Sequence, residues 1–122
     1  MKLTHLIPML QVDDLQKTID FYVHVLGFHC DAYETGWGWA SLTRDEINIM
    51  LALPNQHLPY YTCLLTGSLY LRTENVDEWW NLLQHKAEIV YEIEDFDYGM
   101  REFAIKDCNG YTLQFGQANN IG

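Results

Sequence analysis

Basic residues are scarce in this chain of 122 residues, where 7 Lys and Arg stand against 17 Asp and Glu for a formal net charge of -10. A field of that sign repels phosphate backbones and anionic membrane surfaces, so nucleic acid and membranes are not expected as partners, while a cationic ligand would be drawn to any acidic cleft. The 3 cysteines, Cys30, Cys63 and Cys108, are odd in number and lack CxxC spacing. Neither a disulfide framework nor a structural zinc site is indicated, and the three read as reduced, inert thiols. No apolar run approaches the ~20 residues that cross a bilayer. The stretch "MKLTHLIPMLQVDD" reaches a carboxylate pair before an apolar signal region could form, so a cytoplasmic location is expected. G-x-S-x-G, H-E-x-x-H and phosphate-loop patterns are all missing, which removes the common organic and metallopeptidase machineries. No low-complexity tract interrupts a composition that is 48% hydrophobic and 14% aromatic, as suits a globular protein of one domain's length.

Much of the negative charge is gathered in "EIVYEIEDFD", where Glu88, Glu92, Glu94, Asp95 and Asp97 crowd one segment. Such a run is either a solvated face that aids solubility or the rim of a cleft that steers cations.

The chain repeats itself at half its length. Leu15, Ile19, Tyr22, Val23 and Leu26 recur at helical spacing and predict a helix over about Asp14–Leu26, with Asp13 or Asp14 as N-cap, Gln16 completing a capping box and Gly27 as the stop. Val76, Trp79, Trp80 and Leu83 predict a second helix over about Val76–His85, with Asn75 and Glu78 as another capping-box pair. A constant offset of 61 residues carries Leu15 to Val76, Ile19 to Trp80 and Tyr22 to Leu83. Trp79 and Trp80 are adjacent, so one of them is expected on the sheet and the other at a flank or interface.

An apolar strand precedes each helix, "LTHLIPMLQV" and "TGSLYLRT", and three strand-like runs follow each. These fall at about Phe28–Glu34, Gly38–Arg44 and Ile47–Leu53, then at about Ile89–Ile93, Met100–Lys106 and Tyr111–Phe115, the last after the turn "DCNG". The expected fold class is α+β, with two pseudo-symmetric βαβββ modules at about 1–56 and 64–118 in one domain, joined by the linker "LPNQHLPYYT" with Pro54 and Pro59. A four-stranded sheet with one helix on one face leaves the other face bare, so the modules are expected to pair, within the chain or across a dimer, into a mixed sheet that encloses a cavity.

"VDDLQKTIDFYVHVLGF" resembles the first-helix signature, and "YGMREFAIKDCNGYTLQF" the closing signature, of the glyoxalase, bleomycin-resistance and extradiol-dioxygenase superfamily, the vicinal oxygen chelate proteins. Cys108 stands where that signature usually has a turn proline, and the likeness covers nearly the whole chain. In metal-bearing relatives each module supplies one ligand from its first strand and one from its last, with His, Glu and sometimes Gln as the usual types. Carried over, those positions are Ile7 and Ser68 on the first strands and Met50 and Gln114 on the last; a register shift of two would put Asn48 in place of Met50. Zn, Ni, Fe or Mn sites need about three or four anionic or imidazole ligands, and this set does not provide them. His24, His29, His57 and His85 read as solvated or locally bonded, and His5, on the expected strand face of Ile7, is an imidazole with no convergent carboxylate.

The resemblance is nearest to the bleomycin-resistance branch, whose metal-free dimers sequester a cationic antibiotic. It implies a homodimeric small-molecule binding protein without metal or cofactor, holding a planar or cationic ligand in an aromatic, acidic-rimmed cleft, with a role in antibiotic resistance. Its groove aromatics map onto Trp39, Tyr70 and Tyr98, and the ligand-binding set becomes Trp39, Met50, Ser68, Tyr70, Arg72, Tyr98 and Gln114. Arg101 and Glu102 of "REFA" are expected to pair or cap across strands rather than to bind. Arg72, if it faces the ligand, leaves room for an anionic or amphoteric metabolite. The alternatives are a divergent metal-dependent glyoxalase-type or dioxygenase-type enzyme and a module for an unknown metabolite.

Overall fold

A computed structural model describes residues 1–57 and 63–119; Pro59 of the expected linker lies outside the described residues. The chain divides into two compact units, Met1–Cys63 and Leu64–Gly122. The first contains β1 (Met9–Gln11), α1 (Leu15–His24), β2 (His29–Glu34), β3 (Trp39–Arg44) and β4 (Ile47–Ala52). The second contains β5 (Leu69–Arg72), α2 (Val76–Leu83), β6 (Glu88–Phe96), β7 (Met100–Lys106) and β8 (Thr112–Ala118). Each sheet has four strands, ordered β1-β4-β3-β2 and β5-β8-β7-β6. In each, the first strand runs parallel to the last and the other pairs are antiparallel. The fold is α+β, a βαβββ module built twice.

In the first unit, Leu15, Ile19 and Tyr22 of α1 are buried along with Leu10, Ala40, Leu42, Ile49 and Leu51 of the sheet. Phe21 and Phe28 meet the fully buried Tyr22 ring edge-on at centroid distances of 5.7 and 5.5 Å. Asp14 caps α1, its side chain accepting from the Lys17 amide at 3.0 Å. The expected capping box does not form, because with Asp14 as the cap Gln16 is one residue short of the third helical position; its amide donates to Asp20 instead, at 2.8 Å. Gly27 follows the helix with φ of +75°, where a Cβ would collide with Arg44 Nη1. That open space lets the guanidinium donate to the Leu26 carbonyl at 2.8 Å.

β1 is much shorter than the apolar run predicts. Pro8 has no N–H to add to the ladder, and although its carbonyl accepts from Met50 at 2.9 Å, pairing begins only at Met9. Ile7 therefore lies outside any strand, and the alternation that would set it on one face with His5 does not apply.

In the second unit Phe103 and Phe115 stack at 5.0 Å beneath α2. Trp79 rests on Phe115 at 5.1 Å and Trp80 meets Phe103 at 5.3 Å. Both tryptophans touch phenylalanines of the sheet and both stay half-buried. Asn75 makes no side-chain cap to α2; Gln117 reaches across from β8 and accepts from the Val76 amide at 3.0 Å. β6 extends beyond the predicted run and carries Glu88, Glu92, Glu94 and Asp95 exposed along the outer edge of its sheet. Repeated carboxylates on an edge strand oppose the addition of a further strand.

Candidate functional site

The strand β7 contains "REFA", and its alternation sends Arg101 and Glu102 to opposite faces. Arg101 joins Asp77 on α2 at 2.8 Å and Asp95 on β6 at 3.3 Å, as the expected cross-element pairing requires. This contact holds the Asp77 carboxyl below its ordinary value. Glu102 turns the other way and is only 2% exposed. A carboxylate so placed needs hydrogen-bond donors, and three phenols supply them. Tyr70 donates to Oε2, while Tyr91, at 3.0 Å, and Tyr98 donate to Oε1.

Each phenol has its own structural route to Glu102. Tyr70 stands on β5 opposite Gln114, and its ring reaches Glu102 by passing over Gly116, the residue paired with Glu102 in the ladder. Tyr91 sits between two irregularities in the pairing of β6 with β7. Tyr98 lies in the turn between β6 and β7, where Gly99 adopts φ of +85°. Its ring stacks on Phe96 at 5.4 Å with planes 8° apart, and Phe96 in turn meets Tyr91 edge-on at 5.6 Å. The network extends outward, with Gln114 Nε2 donating to the Tyr91 oxygen at 2.8 Å and Ser68 Oγ donating to Gln114 Oε1.

Donation to a carboxylate favours the protonated phenol. The bond to Glu102 is the main cause that pushes Tyr98 up to about 12. Burial, followed by the bond to Glu102, raises Tyr70 well above its ordinary value. Burial also raises Tyr91, with Gln114 pulling the other way and Glu102 adding to the rise. All three phenols thus keep their hydrogens through the neutral range.

Of the residues expected to bind, Ser68, Tyr70, Tyr98 and Gln114 meet in this network. Arg72, the next residue but one after Tyr70, pairs with Gly116 in the ladder and is exposed. Trp39 and Met50 belong to the first unit, both half-buried, Trp39 opposite Ala52 and Met50 opposite Met9. Tyr91 and Glu102 were not in the expected set. Glu102 bonds across strands, to Tyr70 on β5 and Tyr91 on β6, and its partners are tyrosines. Alternation in "REFA" and the glycine of "QFGQ" are the signals that could have found it.

The four residues onto which the resemblance carries the metal ligands bring poor donors. Ser68 and Gln114 bond to each other, Met50 offers a thioether, and Ile7 has no donor in its side chain. Among the described residues no three His, Cys, Asp or Glu side chains could hold a metal ion together. This donor set does not fit the hard or borderline divalent ions the superfamily uses. Cys30 does not supply reactivity either, since burial pushes its thiol up and away from the nucleophilic thiolate.

The family profile of the Glyoxalase/Bleomycin resistance protein/Dioxygenase superfamily matches residues 2–115. The chain belongs to this superfamily. Among solved structures that share the fold is TnmS3, an antibiotic binding protein from Streptomyces sp. CB03234, 26% identical over 97% of this chain and 98% of its own, with a TM-score of 0.75. TioX from Micromonospora sp. ML1 is 21% identical over 94% of this chain and 98% of its own, with a TM-score of 0.76. A glyoxalase/bleomycin resistance protein/dioxygenase from Nocardioides is 15% identical over all of this chain and 87% of its own, also at 0.76. Among curated proteins, none matches the chain. As a member of the superfamily, the protein has the two repeated modules of the fold.

Proposed function

We propose that this superfamily member is a metal-independent small-molecule binding protein that sequesters a planar or cationic ligand, working as a homodimer in the cytoplasm. The observation that carries the reading is the Glu102 cluster, a buried carboxylate held under two exposed tyrosines, Tyr70 and Tyr98. A stacked aromatic face beside a negative charge suits a flat cation, each such contact contributing roughly 0.5–2 kcal/mol. The antibiotic binding named for TnmS3 supports the small-molecule part of the reading, and the net charge of -10 supports a cation. Ser68, Arg72 and Gln114 complete the proposed binding set of the second unit, and Trp39 and Met50 are the proposed ligand contacts of the first unit.

Isothermal titration with bleomycin and other planar cations tests the reading, and heat of binding at tens of micromolar is the expected result. Silence with every such ligand would remove this ligand class. Elemental analysis of protein purified without chelator decides between binding and the metalloenzyme alternative, because stoichiometric bound metal would overturn metal independence. Sedimentation at micromolar concentration should show a dimer, and a monomer would contradict that part of the proposal.

A further inference from the structure

The hydrogen bonds around Glu102 all run in one direction. Tyr70, Tyr91 and Tyr98 each have one hydroxyl hydrogen, and each gives it to the carboxylate. Tyr91 spends its oxygen on Gln114, and Ser68 spends its hydrogen on the same glutamine. Tyr70 and Tyr98, 40% and 64% exposed, therefore have only oxygen lone pairs left to offer a ligand. No Lys, Arg or His among the described residues pairs with Glu102. Buried charges are ordinarily paired, and here neutral phenols solvate the carboxylate without cancelling its charge.

We infer that this face takes its ligand by a protonated nitrogen that still carries hydrogens, an ammonium, amidinium or guanidinium group, donating to the phenolic oxygens of Tyr70 and Tyr98 above Glu102. The inference rests on the binding function proposed above and narrows it. Flat cations without N–H and flat anions are both poor fits: the first cannot donate, and the second meets phenolic oxygens with no hydrogen to give. Gly116 is the specificity-determining residue beneath the group, because only a residue without a side chain leaves room for the Tyr70 ring to cross to Glu102. The phenols hold their hydrogens well past neutrality, so the site keeps this polarity throughout the physiological range.

Three probes of one ring size separate the possibilities: benzylammonium, benzyltrimethylammonium and phenylacetate, each titrated into isotope-labelled protein and followed by amide resonances. Benzylammonium should shift Tyr70, Tyr98 and Gly116 with an affinity in the millimolar range expected of so small a ligand. The trimethylated cation should bind about tenfold more weakly for want of charge-assisted hydrogen bonds, and phenylacetate should shift none of the three residues. Glu102→Gln should weaken benzylammonium about tenfold. Tyr98→Phe keeps the ring on Phe96 but removes the hydroxyl, so it should weaken benzylammonium severalfold and also lower the melting temperature, the affinity being read well below the transition where the variant is folded. Equal binding of the two cations, or no response to benzylammonium, overturns the inference while leaving a planar-ligand binder standing if bleomycin still binds. Unchanged affinity in Tyr98→Phe overturns it even if Glu102→Gln fails to fold.

Discussion

The ring of Tyr70 occupies the space that a side chain on Gly116 would need, since a Cβ there would stand 2.6 Å from Cζ and 2.9 Å from Cε1 of the phenol. Gly116→Ala therefore forces Tyr70 to swing away from Glu102. Losing a hydrogen bond to a buried carboxylate should lower stability by about 1.5–3 kcal/mol, measured by urea denaturation. The cost should shrink in a Tyr70→Ala background, where the phenol is already gone; full additivity would mean that the two residues do not interact.

Alkaline titration should reveal the cluster directly. The phenol of Tyr98 is raised from 10.0 to about 12, and those of Tyr70 and Tyr91 are raised as well. Because the folded values lie above the unfolded ones, the associated stabilisation is complete below pH 10 and is lost as pH climbs through the folded values. Ultraviolet titration should show late-ionising tyrosines, with Tyr70, Tyr91 and Tyr98 among them. In Glu102→Gln these three should move back toward ordinary behaviour, and an unchanged curve would count against the carboxylate as the cause.

Gly27 and Arg44 make a second such pair at the end of α1. Gly27→Ala places a Cβ at φ of +75° and against the Arg44 guanidinium. Strain of ~1 kcal/mol at the left-handed position adds to ~1 kcal/mol for the displaced bond to the Leu26 carbonyl. A total near 2 kcal/mol should appear as a lower urea midpoint, and a loss under about 0.5 kcal/mol, the usual scatter of surface substitutions, would show that neither effect operates.

Arg101 bridges two half-exposed carboxylates, so Arg101→Gln should cost at most about 1 kcal/mol and less at high salt. Since Asp77 is held low, its contribution is present above the ordinary value of 3.8 and fades as pH falls through its folded value. The comparison of acid denaturation curves with and without Arg101 checks the sign.

The repeat was legible because helix faces are written in the chain at fixed spacing: the offset from Leu15 to Val76 survives intact in the two modules. Helix caps were less so, since Gln117 satisfies the Val76 amide from 41 residues away and local spacing cannot report such a partner. β1 failed at Pro8, where apolar character continues but the ladder cannot. At the candidate site, Tyr70, Ser68 and Gln114 were reached through the family resemblance, whereas Tyr91 depended on breaks in strand pairing that shift its facing. Glu102 falls outside the expected binding set because "REFA" reads as a structural pairing across strands, and three tyrosines from separate segments meet there only in the folded chain.

In the ladders of the two sheets, Trp39 opposite Ala52 holds the place that Glu102 opposite Gly116 holds in the other. A protein assembled from identical one-module chains would have to repeat every side chain wherever the module recurs. Here each copy has its own stretch of coding sequence, so an indole in one and a carboxylate in the other can coexist. Repeating the module within one chain thus lets it carry unlike chemistry at corresponding points of its two copies.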